Sequence, residues 1–204
     1  IKLDVSLSNV SIEKADVDKI KITAYGDKDE KINEAINNKE LSITKSNTKV
    51  YIFAMFYWCD VKVIIQVPND CDEEFNIHTS SGDITAQNLE NNNISFEASS
   101  GKIECGNINN GELKSSSGDI VVGNGNEVKI QSSSGDIKAG DFSKLSAEAS
   151  SGNVEVGTIG EGTVKTSSGE IEIIGADRIK AEASSGDISI ETIENYCELK
   201  TGSG

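Results

Sequence analysis

The sequence predicts an all-β protein whose main body is a β-solenoid, a single-stranded β-helix-like rod of roughly 17-residue coils, carried on an N-terminal β-rich cap. Three observations lead there. A Ser-Ser-Gly phrase returns at Gly82, Gly101, Gly118, Gly135, Gly152, Gly169 and Gly186, and incompletely at Gly204, with gaps of 19, 17, 17, 17, 17, 17 and 18 residues. Apolar and polar residues alternate on both sides of each glycine. The units also lack the 3.6-residue apolar rhythm of a helix, and their length leaves little room for one.

Taken in chain order, the first 70 residues lack this ruler but alternate at Ile1 to Leu7, Val10 to Ile12, Ile20 to Ala24, Leu41 to Ile43 and Val61 to Val67, which reads as strands. Residues 27–39, "DKDEKINEAINNK", form a polar connection or a short marginal helix, and Pro68 closes the segment. The first coil of a solenoid needs its apolar end covered, so residues 1–75 are assigned as a β-rich cap continuous with the rod and 76–204 as the solenoid of about seven repeats.

Within the rod, the second place after each glycine holds Ile84, Ile103, Ile120, Ile137, Val154, Ile171 and Ile188, and the fourth holds Ala86, Cys105, Val122, Ala139, Val156, Ile173 and Ile190. Five places before it stand Ile77, Phe96, Leu113, Ile130, Ala147, Val164, Ala181 and Leu199, and three before come small residues from Thr79 to Thr201. The inward parity switches at the glycine, so the chain turns a corner there, where glycine supplies unusual backbone angles and close approach. Stacked at about 4.8 Å per coil, the serines of one corner lie over those of the next, and their hydroxyls are expected to bond one another and the backbone. A further apolar place seven after the glycine (Leu89, Ile108, Phe142, Ile159, Ala176, Ile193) suggests a third side. Seven coils make a rod roughly 34 Å long. A sandwich of hairpins is the alternative, but hairpins favour Asn-Gly or Asp-Gly turns and variable strands, whereas here residue identity itself repeats.

Composition narrows the function classes. The chain is 36% apolar and 5% aromatic, enough for the thin core of a solenoid, and no apolar run is long enough to span a membrane as a helix. Residues 1–70 carry eleven acidic and ten basic side chains and residues 71–204 twenty-three and nine, so the rod holds a balance of −14. With Arg178 the only arginine, neither nucleic acid nor an anionic membrane is an expected partner; acidity of this kind keeps a rod soluble and unassociated side by side. Because the sequence starts at Ile1 without a methionine, a leader or anchor is expected to precede it, and Leu199 to Gly204 match the approach to another corner, so the rod is expected to run on past Gly204. Cys59, Cys71, Cys105 and Cys197 have no metal-type spacing; Cys105 falls on an inward place and reads as core filling.

No catalytic constellation, metal site or cofactor site is assigned. The one histidine, His78, lies on the outward parity in a row continued by Glu97, Lys114, Gln131, Glu148, Lys165, Glu182 and Lys200, which reads as a solvated ladder of cross-coil pairs. Asp119 and Asp136, each following a corner glycine, could share Ca²⁺, but an Asp after Ser-Gly more simply caps the turn through backbone N–H groups. "GNGN" at 123–126 has neither the Lys-Ser/Thr nor the helix of a phosphate loop. The stretch that stands out is "YIFAMFYWC", 51–59, with five of the ten aromatics. Tyr51, Phe53, Phe56, Tyr57 and Trp58 are either core between cap and first coil, the favoured reading, or an exposed tip that docks on a partner or a membrane interface.

With "TSSGDI" at 79–84, "ASSGDI" at 183–188, "VKVIIQVPND" at 61–70 and "LSNVSIEKADVDKIKITAYGD" at 7–27, the chain resembles the bacterial adhesin-type family of Ser-Ser-Gly-Asp-Ile β-solenoids, a domain of unknown function, over nearly its whole length. The resemblance implies a non-enzymatic, envelope-associated or surface-exposed bacterial protein that meets a protein or glycan partner, and it brings no site residues. An envelope-stress or sensing module docking through residues 51–59 is the alternative, and a glycan-active enzyme a more distant one.

Overall fold

The computed structural model describes residues 2–5, 8–18, 20–25, 41–46, 49–54 and 61–203, all of them strand, turn or irregular, with no helix among them. The 27–39 connection and Cys59 lie outside the described residues. Eighteen strands join in one hydrogen-bonded system. The first six are β1 (Lys2–Val5), β2 (Ser8–Lys14), β3 (Lys21–Tyr25), β4 (Leu41–Ser46), β5 (Lys49–Ala54) and β6 (Val61–Val67). The rod follows with β7 (Phe75–Thr79), β8 (Ile84–Ala86), β9 (Leu89–Ala98), β10 (Ile103–Cys105), β11 (Ile108–Ser115), β12 (Ile120–Val122), β13 (Gly125–Ser132), β14 (Ile137–Ala139), β15 (Phe142–Ala149), β16 (Val154–Thr166), β17 (Ile171–Ser185) and β18 (Ile188–Ser203).

Every strand from β7 onward pairs in parallel with the strand one coil away, Ile103 with Ile84 and Ile120, Leu113 with Phe96 and Ile130, the register slipping only between Ile108 and Asn110 and between Ala176 and Arg178 among the described residues. The expected β-solenoid is therefore the observed fold, with about eight turns between residues 75 and 203. That is one more than the seven repeats read from the sequence. Ile84, Ile103, Ile120, Ile137, Val154 and Ile171 are all fully buried, as are Phe96, Leu113, Ile130, Val164 and Ala181, in one apolar cluster that runs from Leu3 to Ala183. A row the alternation did not expose lies seven places before the glycine: Phe75, Ile94, Val128, Leu145 and Ile179 are buried there. It is interrupted by Gly111 and Gly162, whose missing side chains leave space taken by Ile94 and by Ile159 and Ile179.

The N-terminal strands join the stack out of chain order. β1 and β2 pair in parallel with β7 and β8, Leu3 against Ile77 and Val10 against Ile84. On their other side β5 and β6 pair with them in the same sense, Ile52 against Leu3 and Val63 against Val10. The 2–14 segment is thus wedged between 49–67 and 75–86. Beyond it β3 and β4 run antiparallel on β6 and β5 and cover that end. The chain crosses from Val67 to Phe75 past the wedged coil, and buried Asn92 holds this crossover by donating to the Cys71 carbonyl at 3.0 Å and the Glu73 carbonyl at 2.8 Å.

Ser8 takes the place of the corner glycine in the wedged coil: its carbonyl meets Gly82 as the Gly82 carbonyl meets Gly101. Its hydroxyl is fully buried and has no hydrogen-bond partner among the described residues. Removing an unpaired buried hydroxyl relieves its desolvation cost, so Ser8→Ala is expected to raise stability by about 1 kcal/mol in urea denaturation.

Candidate functional site

At the corners, the close approach of the glycines is what the phrase encodes. A Cβ on Gly101, Gly118, Gly135, Gly152 or Gly169 would stand 2.0–2.2 Å from the carbonyl oxygen of the glycine one coil below. Unusual backbone angles are the lesser part, since among the described residues Gly186 alone has a positive φ, 149°. The hydroxyl that matters is the one three places before the glycine: Thr79, Ser115 and Ser132 accept from the Gly82, Gly118 and Gly135 amides at 2.9–3.0 Å. The two exposed serines that follow bond along the stack through their backbones, as Ser116 does to the Ala98 carbonyl at 3.1 Å. Among the described residues no bond joins serine hydroxyls of successive corners, so that expected ladder is not formed.

The acidic residue after the glycine serves the same stack. Asp83, Asp119, Asp136 and Asn153 each accept, through Oδ1, the amide of the equivalent residue one coil on, at 2.8–2.9 Å. This is the backbone capping expected, reached across coils rather than within the turn. The second corner repeats the device in a pattern that sequence reasoning missed: Asn88, Asn107, Asn124 and Asp141 accept from Asn107, Asn124, Asp141 and Thr158 amides at 2.7–2.9 Å. Its signal was in plain view as Gly106-Asn107, Gly123-Asn124, Gly140-Asp141 and Gly157-Thr158. Each glycine there makes room for the amide or carboxylate oxygen of the residue that caps it from the coil below. Asn107→Ala, which frees the Asn124 amide, is expected to cost about 1 kcal/mol in the same assay.

Between these two corners lies the acidic side of the rod. Asp119, Asp136, Glu170 and Asp187 form one outward row, and Glu104, Glu155 and Glu172 another, with Lys102 tied to Glu104 and Lys138 to Glu155 at 2.8 Å. The carboxylates beside them raise the pKa of both lysines above the usual lysine value. Gly140 and Gly157 floor an open groove of about 610 Å³ here, bordered by Glu155, Glu172, Glu191 and Ile174, the last 58% exposed.

The neighbouring side carries mixed ladders. Gln131 donates to Glu148 at 3.3 Å and Lys165 meets Glu182 at 2.9 Å, as the outward row leads one to expect, whereas Lys114 turns instead to Glu112 in its own strand at 2.9 Å. Bonds from Lys114 and then Lys129 hold the Glu112 carboxyl below its ordinary range. Because its folded pKa is depressed, its contribution to stability is present above the unfolded value and fades as pH falls through the lowered one. His78 belongs to this side: its Nδ1 donates to Asp4 at 3.0 Å, and among the described residues no serine hydroxyl bonds to it. Among those residues, too, no group of three or more His, Cys, Asp and Glu side chains is gathered as a metal site. Burial pushes the Cys105 thiol well up, the mark of an inert core residue.

A family model described as Toastrack DUF4097 matches residues 1–203. The chain belongs to the toastrack DUF4097 family. The match takes in the N-terminal strands as well as the rod, in keeping with their shared stack. No curated protein matches the chain. Toastrack membership accounts for the solenoid and leaves the function of the domain open.

The aromatic segment of this toastrack chain is described in part. Tyr51 and Phe53 lie on β5 in register with Lys2 and Asp4, both exposed, while Ile52 and Ala54 align with the buried Leu3 and Val5. Phe56, Tyr57 and Trp58 lie outside the described residues.

Proposed function

We propose that this chain is a non-enzymatic interaction module of the bacterial cell envelope or surface, adhesin-like in presenting a rigid acidic solenoid to a protein or glycan partner. The observation that carries this reading is the acidic side between the two corners. Across the two outward rows every coil carries at least one carboxylate on a backbone locked by the two Asx ladders, an arrangement suited to many parallel contacts with an extended partner. General acid–base work would instead require groups converging on one reacting atom. Complementary charge of this kind sets the rate and specificity of encounter. Labelled chain should be retained on bacterial envelope fractions or immobilised glycans, less as salt rises, and a Glu155→Lys/Glu172→Lys variant with unchanged circular dichroism should lose that retention. Retention that ignores both changes, or release of new reducing ends from the glycan, would contradict the proposal.

A second reading, docking through residues 51–59, draws support from the backbone register that pairs Tyr51 and Phe53 with the exposed Lys2 and Asp4. In that case Trp58 should be readily quenched by acrylamide, and vesicles of neutral lipid should shift its emission to the blue more than strongly anionic ones. Trp58 shielded in the free chain and unmoved by vesicles or envelope fractions would remove this reading.

A further inference from the structure

Asparagines crowd one stretch of the rod. Asn88, Asn107 and Asn124 stand in the row at the second corner, and Asn109, Asn110 and Asn126 lie beside it along the strands. The fold does not ask for them. Asp141 caps the Thr158 amide just as Asn124 caps that of Asp141, and one coil beyond Thr158 the place holds Gly175. The row of Asn109 and Asn126 goes on as Ser143, Gly160 and Asp177 in the same parallel register. Uncharged amides are thus gathered over successive coils of an otherwise acidic rod. The stack also fixes their orientation. A backbone N–H selects the oxygen of an amide, so Oδ1 of Asn88, Asn107 and Asn124, each accepting the amide of the next coil at 2.8–2.9 Å, faces the stack and Nδ2 is turned away from it. Asn107 Nδ2 gives one N–H to Glu90 at 2.9 Å, while among the described residues no acceptor meets Nδ2 of Asn88 or Asn124. Asn126 donates to Asn110 at 3.2 Å, and among the described residues the Asn109 side chain has no hydrogen-bond partner.

We propose that this asparagine side is a binding site for a neutral oligosaccharide. Each sugar hydroxyl both donates and accepts, and a side-chain amide offers both in one plane. Donors repeating at about 4.8 Å along a straight row suit a chain of hydroxyl-bearing rings, and because the stack already holds them, little ordering is left for the ligand to bring about. A row of uncharged amides gives a cation or an anion no such match. Glu90 adds an acceptor beside the row. The site is separate from the acidic side and does not depend on it. Among the described residues no exposed aromatic ring stands there for a sugar to stack on, so a single oligosaccharide is held with a dissociation constant on the order of 1 mM, too weakly to retain the chain on a support.

Titration of the isotope-labelled chain with cellotetraose, mannotetraose and maltotetraose in turn tests this, read from the side-chain amide signals in solution. Saturating shifts are expected with at least one of them at Asn88, Asn107, Asn109 and Asn124, equal at low and high salt, while Asn153 on the acidic side stays unmoved. Asn109→Ser/Asn126→Ser should leave circular dichroism unchanged, since the rod itself carries Ser143 in that row, and should weaken binding at least about tenfold. Glu155→Lys/Glu172→Lys should leave this binding as it was, which separates the site from the acidic contacts. No saturating shift with any of the three sugars, equal shifts at Asn153, or binding indifferent to Asn109→Ser/Asn126→Ser would overturn the proposal.

Discussion

Gly135→Ala is expected to disrupt the stack at a corner where two backbones meet. The new Cβ would stand 2.2 Å from the Gly118 carbonyl oxygen and 2.5 Å from its carbon, and both belong to a backbone held by bonds above and below. No side-chain rotation relieves that contact, so whole coils must separate locally, at a cost of at least about 3 kcal/mol. Losing the spacing also stretches the Asp119 and Asp136 bonds that cross the same corner. Gly175→Ala is the control: its Cβ would meet the Thr192 hydroxyl at 2.9 Å, an atom that can turn away, and should cost under about 1 kcal/mol. Urea denaturation of both variants measures the difference. Similar costs would mean that the corner glycines are not there for backbone contact.

Ile137→Ala should cost about 2 to 5 kcal/mol, because Ile137 is fully buried and stands in register with Ile120 below and Val154 above, so truncation leaves a void that neither neighbour can fill without breaking the ladder. Lys138→Ala next to it removes only a solvated pair with Glu155 and should leave the denaturation midpoint where it was. Equal effects at the two positions would reverse the assignment of inward and outward faces.

Much of the fold could be read from residues because a solenoid coil carries its own register. The isoleucines after each glycine and the apolar residues five before it alternate cleanly, and the structure buries them along the rod up to its last coil. The row beginning at Phe75 was harder to see because Gly111 and Gly162 interrupt it, and an apolar row with glycines in it looks like a turn until the neighbouring coil is known to fill the space. The placement of β1 and β2 between the 49–67 coil and β7 was not legible at all. It depends on pairings between distant segments, Ile52 with Leu3 and Leu3 with Ile77, that leave no local periodicity. The second Asx ladder lay in the sequence but needed the stack to give it meaning, since Asn107 serves Asn124 only when 17 residues bring one over the other. For the candidate site the aromatic segment announced itself by composition, and the backbone register adds that Tyr51 and Phe53 align with exposed positions. The acidic side was visible as net charge alone. Its arrangement between two corners required knowing which residues share a face.

Distances along the outward row four places before each corner glycine test the stacking most directly. Spin labels placed at Lys114 and, in turn, at Glu148, Lys165, Glu182 and Lys200 should report separations that rise in even steps of about 4.8 Å per coil, reaching about 24 Å of backbone separation between Lys114 and Lys200. Separations that fail to increase with each coil, or that fold back toward Lys114, would contradict a stack of coils in register.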